Sequence, residues 1–354
     1  MYKKVTPVSN IEEIRNKISD KVKQQFADYL QTSVIEKVNK IQNSFFYKYW
    51  WVGFATALDI SLILFIIFGF VDLAVLLIPI FILWVICFLL VFYRRKLKKR
   101  IRKIIESSFD QQITDEILET AFEDIDELEY IGATSNIPDN CGFNIKFFED
   151  ARDFSIPSSA RIKNIGLIYH FKLLDRYDFY TVNVLFSWIV SNGKTSTEVT
   201  RAMQYYYCYL NDLEPNMEFD FSLFTKNLND KNHKTQKLEN DVFNKYVKLC
   251  SNDEIKARML YTNYAQEMTL QHLYNVREAI QNNDLMYQNF WIAVLSSQII
   301  AAHCTQDYQD QLKVTFNGKK ITEQEIIDNL YKNIETDIYA VYATAAFITC
   351  LPFL

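Results

Sequence analysis

The chain has 354 residues, 49% of them hydrophobic, and a net charge of -5. That length allows a membrane segment plus one large or two small soluble domains. The acidic balance removes any general attraction to nucleic acid, and the one dense basic cluster abuts an apolar run, so no nucleic-acid partner is expected.

Residues 1–49 read as an amphipathic helix. Ser9 and Glu12 form a capping box, and Ile11, Ile14, Ile18, Val22, Phe26, Leu30, Val34, Val38 and Ile41 recur at helical spacing, predicting one helix over 9–42. Its apolar stripe drifts toward an ~11-residue repeat and needs a partner. The soluble domain, a second copy of the chain and the membrane surface all qualify. No cleavable signal peptide is expected, because this first stretch is charged and helical.

Residues 50–93 carry two apolar runs. Trp51 to Phe70 holds a single charge, Asp59, and Leu73 to Phe92 holds none. At about 1.5 Å of rise per residue each run suits a ~30 Å hydrocarbon core, and only Val71 and Asp72 separate them, so a tight transmembrane hairpin is predicted. An ionised carboxylate at Asp59 costs at least a few kcal/mol in hydrocarbon, so it should be neutralised or turned toward a partner. Thr56, Ser61, backbone carbonyls near Pro79 and Asp59 of a second subunit are the candidates. Asp59 is thus an acid that glues helices or a step in a proton or ion pathway.

Residues 94–129 read as a juxtamembrane helical stalk that turns from basic to acidic. Arg94, Arg95, Lys96, Lys98, Lys99, Arg100, Arg102 and Lys103 follow the second run directly. Basic residues stay inside, which predicts a multi-pass protein of the bacterial cytoplasmic membrane with both termini cytoplasmic, and contact with anionic lipid is a further use of the cluster. Trp50 and Trp51 suit the interfacial aromatic belt. The acidic run from Asp115 to Glu129 reads as a solvated helix face, with docking of a basic partner as the alternative.

Residues 130–354 are expected to form a cytoplasmic α+β domain with an antiparallel-rich sheet packed by helices. Strands are predicted near Phe143 to Phe148, Ile162 to Leu173, Phe179 to Val190, Thr200 to Leu210, Met217 to Leu223, Phe290 to Leu295, Gln298 to Ala302 and Gln311 to Phe316. The tract from Tyr205 to Tyr209 reads as ordinary strand aromatics, since no basic groove accompanies it. A polar loop spans Lys226 to Lys237. Helices are predicted from the Ser251–Glu254 box through Leu260, over Thr262 to Ile280, and from the Thr322–Glu325 box onward. The uncharged end, Ile338 to Leu354, is expected to be buried in the soluble core or docked on the hairpin rather than to span the bilayer.

Chemistry-bearing motifs are sparse. Ser251, Asp253, Glu254 and Arg258 have a structural explanation: a helix cap and an ion pair four residues apart. His170, His233, His272 and His303 form no HExxH, and His303 beside Cys304 lacks a second ligand pair. Seven glycines leave no phosphate loop, and the six scattered cysteines include no CxxC and fit reduced thiols. No catalytic residue, cofactor or metal is predicted.

From Val242 onward, Phe243, Tyr246, Ser251, Asn252, Asp253, Ala257, Arg258, Leu260 and Thr262, then the Phe290 to Ala302 strand pair and the final helix, carry a resemblance. They resemble an uncharacterised bacterial family, a domain of unknown function in which a two-helix membrane hairpin precedes a mixed cytoplasmic domain. The resemblance implies architecture and compartment and no chemistry. The functional expectation is a membrane-anchored, non-enzymatic interaction or scaffold protein, contacting the lipid bilayer and a protein partner or itself through its long helices. The alternatives are a membrane-associated hydrolase or transferase and an oligomeric channel or transport accessory built around Asp59.

Overall fold

A computed structural model of the protein describes residues 9–30, 32–68, 73–138, 143–150, 156–193, 195–209, 221–224, 234–282, 290–295, 298–305 and 321–350. The chain opens with helices α1 (Ile11–Tyr29), α2 (Thr32–Gln42), α3 (Phe45–Lys48), α4 (Trp50–Phe68), α5 (Leu73–Glu106) and α6 (Gln111–Phe122). Strand β1 (Leu128–Thr134), helix α7 (Ile145–Asp150) and strands β2 (Arg161–Leu173), β3 (Tyr177–Ser191), β4 (Ser196–Tyr209), β5 (Phe221–Phe224) and β6 (Thr235–Gln236) follow. Next come α8 (Asp241–Tyr246), β7 (Lys248–Ser251), α9 (Glu254–Leu260), α10 (Asn263–Gln281), β8 (Phe290–Leu295), β9 (Gln298–Thr305) and α11 (Glu323–Thr349). Two units divide the chain: Met1–Val22 with Asp115–Gln311 and Ile334–Leu354, and Lys23–Thr114 with Leu312–Asn333.

The first unit is α+β. Its nine strands form one sheet in the order β1-β2-β3-β4-β9-β8-β5-β7-β6, and every described pairing is antiparallel. Alternation along the three longest strands gives each face of the sheet its own core. On one face Ile168, Val182, Val184, Phe186, Met203, Tyr205 and Tyr207 pack against Phe143, Phe148, Ile156 and Ala160. The Tyr205 hydroxyl donates to the Phe148 carbonyl at 2.8 Å, which satisfies the one polar atom of that buried ring. On the other face Phe171 meets Phe122 of α6 at 4.9 Å and Phe179 stacks on Tyr206 at 5.8 Å.

Helix α11 lies against this second face and holds α1 beside it. Ile11, Ile14, Ile18 and Val22 are buried, the Ser9 amide donates to the Tyr342 hydroxyl at 2.9 Å, and Arg15 Nε donates to Glu335 Oε1 at 2.5 Å. The apolar stripe of α1 is therefore buried within the chain, which is the first of its three expected partners. The acidic run also meets a cation, because Lys21 Nζ lies 2.7 Å from Asp124 Oδ2. The end of α11 is buried from Ile338 to Ile348, as a core helix should be.

Several local expectations are corrected. Phe143 to Phe148 is not a strand: Asn144 accepts from the Phe147 amide at 2.8 Å and starts α7, which turns Phe143, Phe147 and Phe148 onto one side. The helix over 9–42 is two helices that break beside Leu30, where Thr32 and Ser33 favour a helix start over an interior. Strands β1 and β7 and helix α8 form where the sequence pattern predicts no element, and the polar stretch to Lys237 ends in the short strand β6. Met217 to Leu223 reduces to β5 among the described residues, while Gln311 to Phe316 lies outside them.

The second unit is helical. Phe26 of α1 meets Phe109 edge-on at 5.6 Å. Gln42 Nε2 donates to the Ile321 carbonyl at 2.8 Å and its Oε1 accepts from the Ile321 amide at 2.9 Å. Helices α4 and α5 pack side by side through small residues: a Cβ added at Gly53 would stand 2.9 Å from Leu90 Cδ1, Ala57 is buried, and Phe54 meets Trp84 at 5.7 Å. Arg94 to Lys103 continue α5 without a break, and the acidic run spans α6 and the turn after it into β1. Among the described residues no helix is long and apolar enough to cross a membrane.

Candidate functional site

The described surface combining charge, aromatic faces and concavity lies where the second unit's helices meet at the start of α4. Ser44 turns the chain there: its hydroxyl donates to the Ile41 carbonyl at 2.6 Å, and α3 leads through Tyr49 straight into α4. Helix α5 returns to the same level at Arg94. The result is a recess of about 500 Å³ walled by Asn39, Gln42, Asn43, Tyr47, Lys48, Trp50, Trp51 and Arg94.

Arg94 organises it. Its guanidinium lies 4.3 Å from the Trp50 ring centroid and 5.6 Å from that of Tyr47, which fixes its plane by cation–π contact. Its Nε is buried with no hydrogen-bond partner, and so is the hydroxyl of Tyr47, a residue only 4% exposed. Burial pushes the Tyr47 phenol above its ordinary range, against the pull of Arg94. One turn along α5, burial and then the Arg94 charge lower the Lys98 ammonium, with Glu325 opposing them. Beside this recess, and sharing Trp50, runs an apolar groove of about 330 Å³ formed by Phe45, Tyr49, Val52, Gly53, Thr56 and Leu90.

The basic cluster is thereby sorted into two kinds of residue. Leu97, Ile101 and Ile105 are buried at four-residue spacing. Arg95, Lys96, Lys99, Arg100 and Lys103 consequently face solvent, while Arg94, Lys98 and Arg102 are half-buried. Asp59 is exposed on the side of α4 away from Ala57. Two of its expected partners are committed elsewhere: the Thr56 hydroxyl donates to the Gly53 carbonyl at 3.1 Å and that of Ser61 to the Ala57 carbonyl at 2.7 Å.

The motif after β7 is assembled as a brace. Asp253, not Ser251, caps α9 by accepting from the Lys256 amide at 2.9 Å, while Ser251 lies in β7 and its hydroxyl accepts from the Asp253 amide at 3.2 Å. The register of β7 places Ser251 two residues too early to cap. Arg258 Nη2 lies 3.0 Å from Glu254 Oε1 and donates to the Lys237 carbonyl at 3.2 Å, and Nη1 pairs with Glu239. These contacts pin α9 to the segment before α8.

One polar cleft in the α+β unit carries no sequence motif. Asp337 of α11 faces Tyr169, Thr181, Asn183 and Gln204 of the sheet across a cavity of about 20 Å³, between Phe122, Phe171 and Val341. Gln204 Nε2 donates to the Thr181 hydroxyl at 3.0 Å. Burial pushes the Asp337 carboxyl up to about 7. The only sequence signal was a lone acid one residue before the uncharged end of the chain.

The histidines find structural places. His170 Nε2 lies 2.8 Å from Asp178 Oδ1 and stacks on Tyr180, and buried His272 donates from Nε2 to the Ala343 carbonyl at 2.7 Å. Burial lowers His272 to about 4, against that hydrogen bond, so it is neutral. His303 and Cys304 lie in β9 opposite Gln204 and Met203, and His233 is outside the described residues. Among the described residues no group of three His, Cys, Asp or Glu side chains is placed to hold a metal ion. Compared with protein-family models, curated proteins and solved structures, the chain matches none.

Proposed function

We propose that this chain is a membrane-anchored, non-enzymatic interaction protein, with α4 and α5 seated as a two-pass hairpin in a bacterial cytoplasmic membrane and both termini in the cytoplasm. The observation that carries the reading is the outer surface of the hairpin. Trp51, Phe54, Leu58, Leu62 and Ile66 of α4 and Phe81, Val85, Phe88 and Phe92 of α5 are all exposed, three of them (Ile66, Phe81, Phe88) to 70% or more. In water so continuous an apolar surface drives aggregation; in hydrocarbon it is the ordinary exterior of a spanning helix. The apolar runs in the sequence, Trp51 to Phe70 and Leu73 to Phe92, are twenty residues each, about 30 Å as helix. Arg94 and Trp50, stacked at one end, suit the inner interface. The family resemblance from Val242 onward belongs to the same proposal.

Interaction, rather than catalysis, is favoured by what the described clefts hold. Because the apolar stripe of α1 is already buried, partners or a second copy must use the hairpin's outer face or the exposed surface of the α+β unit. A membrane-associated hydrolase or transferase is the second reading, supported by the acid of Asp337 poised near neutrality. A cavity of about 20 Å³ admits a water and not a substrate, which ranks it second.

Cysteine labelling of intact cells tests the anchored reading. A cysteine placed at Asp72 should react with an impermeant reagent from outside, whereas one at Asn10 should react only after lysis. Labelling of the Asn10 position from outside, or extraction of the whole chain by alkaline carbonate, overturns it.

A further inference from the structure

We propose that the recess at the foot of the hairpin is a binding site for one anionic phospholipid, with the headgroup phosphate held by Arg94 and Tyr47 and an acyl chain lying in the adjoining apolar groove. The proposal rests on the membrane-seated reading above and adds a ligand to it.

The chemistry is set by two unpaired donors. Arg94 Nε and the Tyr47 hydroxyl are both buried without a hydrogen-bond partner, and both belong to the wall of the same recess. A buried donor left unpaired is costly, so native structures nearly always supply an acceptor. An anionic acceptor suits this pair best, because the guanidinium is always ionised and Lys98 stands one turn away, with Glu325 the opposing charge that acts on both Tyr47 and Lys98. Stacking on Trp50 leaves the N–H edge of the planar Arg94 guanidinium to meet phosphate oxygens. Gln42 is not part of this donor set, since both ends of its amide are engaged by Ile321.

The second recess decides between a lipid and a free phosphate. The apolar groove shares Trp50 with the cationic recess and continues up α4 past Gly53, where Leu90 packs closely against the helix backbone and forms part of the groove's apolar wall. A small ion would have no use for it. An amphiphile with an anionic head and a hydrocarbon tail fits both, at the level where Trp50 and Trp51 would mark the interface.

The test uses the full chain in a mild uncharged detergent. Native mass spectrometry and thermal melting are followed while phosphatidylglycerol, phosphatidylcholine or inorganic phosphate is added. The expected result is one retained phosphatidylglycerol per chain and a raised melting temperature, with phosphatidylcholine roughly tenfold weaker and phosphate alone without effect. Arg94→Gln should weaken phosphatidylglycerol binding about tenfold or more, and Tyr47→Phe, which keeps the ring, about three- to tenfold. Arg95→Gln, in the solvent-facing set, should change it less than about twofold. Equal loss in Arg94→Gln and Arg95→Gln would mean diffuse attraction to the basic helix and overturn the site. So would an unchanged affinity in Tyr47→Phe, or an equal response to inorganic phosphate. Alkaline carbonate separates the two proposals: a chain that stays in the membrane but shows no preference for phosphatidylglycerol refutes this one alone, and a chain that is extracted refutes the anchored reading.

Discussion

At the scale of single residues, two titratable groups, the half-buried Asp337 and the buried His272, pull stability in opposite directions. Asp337 is raised to about 7 in the folded protein from an unfolded value near 3.9, so the folded state binds the extra proton and stability falls as pH rises between those values. His272 is lowered to about 4 from about 6.5, so the unfolded state binds the extra proton and stability is lost as pH falls through that window. Between about pH 4 and 6.5 the two slopes offset each other. Asp337→Asn removes one of them. Its stability relative to wild type should climb steadily from pH 4 to 7 and level off above, and its own curve should rise between pH 4 and 6.5. Melting temperatures of both proteins across that range check the point, and a flat difference curve refutes it. The turn between β2 and β3 offers a second handle, because Leu174 and Asp175 adopt φ of 53° and 55° with no glycine present. Asp175 is exposed, so Asp175→Val loses no packing but places a β-branched residue in the left-handed region, lowering stability by about 1–2 kcal/mol in denaturant titration. The Glu254–Arg258 pair was legible because helical spacing alone places it, whereas Asp337 was not, since its burial depends on Thr181 and Gln204 far away in the chain.

At the scale of elements, what was legible is what repeats. The strands β2, β3 and β4 are 13, 15 and 14 residues of aromatic and β-branched sequence, long enough for composition to decide their type. Helices α9, α10 and α11 announced themselves by caps at Asp253, Thr262 and Thr322, although the first was assigned two residues early to Ser251. Six residues such as Ile145–Asp150 have no such redundancy, and Phe147 and Phe148 with the preceding Phe143 are compatible with either period until Asn144 caps a helix. The packing of α4 on α5 depends on close approach at Gly53. Gly53→Ala should be tolerated, because Leu90 Cδ1 is the end of a flexible side chain and yields a few tenths of an ångström. Gly53→Leu has no such outlet and should cost about 1–3 kcal/mol in detergent melts, with Leu90→Ala in the same chain restoring part of it. Additive losses in the double variant would mean that the two helices do not meet there.

At the scale of the whole molecule, the boundaries that sequence suggested at 49, 93 and 129 follow changes of composition, whereas the units follow contacts. Helix α1 is shared between them at Val22 and α11 at Asn333, so no composition change marks either division. The sheet order was equally hidden, because β9 pairs with β4 across a long stretch of intervening chain. Assembly is a further property at this scale, and Asp59 bears on it. Its carboxylate is exposed on the face of α4 opposite Ala57, while Thr56 and Ser61 satisfy carbonyls of their own helix. On the anchored reading that face meets hydrocarbon, where a charged carboxylate costs at least a few kcal/mol and a second copy presenting the same face offers an acceptor and a donor. The full chain should therefore self-associate in mild detergent. Asp59→Asn, which keeps the hydrogen bonding, should preserve that association, and Asp59→Leu should weaken it at least about tenfold by sedimentation. A wild-type chain that remains monomeric, or a leucine variant that assembles as well as wild type, removes Asp59 from any interface. An asparagine variant that assembles fully yet loses function in cells would instead favour the channel or transport reading, since the titratable proton is all that the substitution takes away.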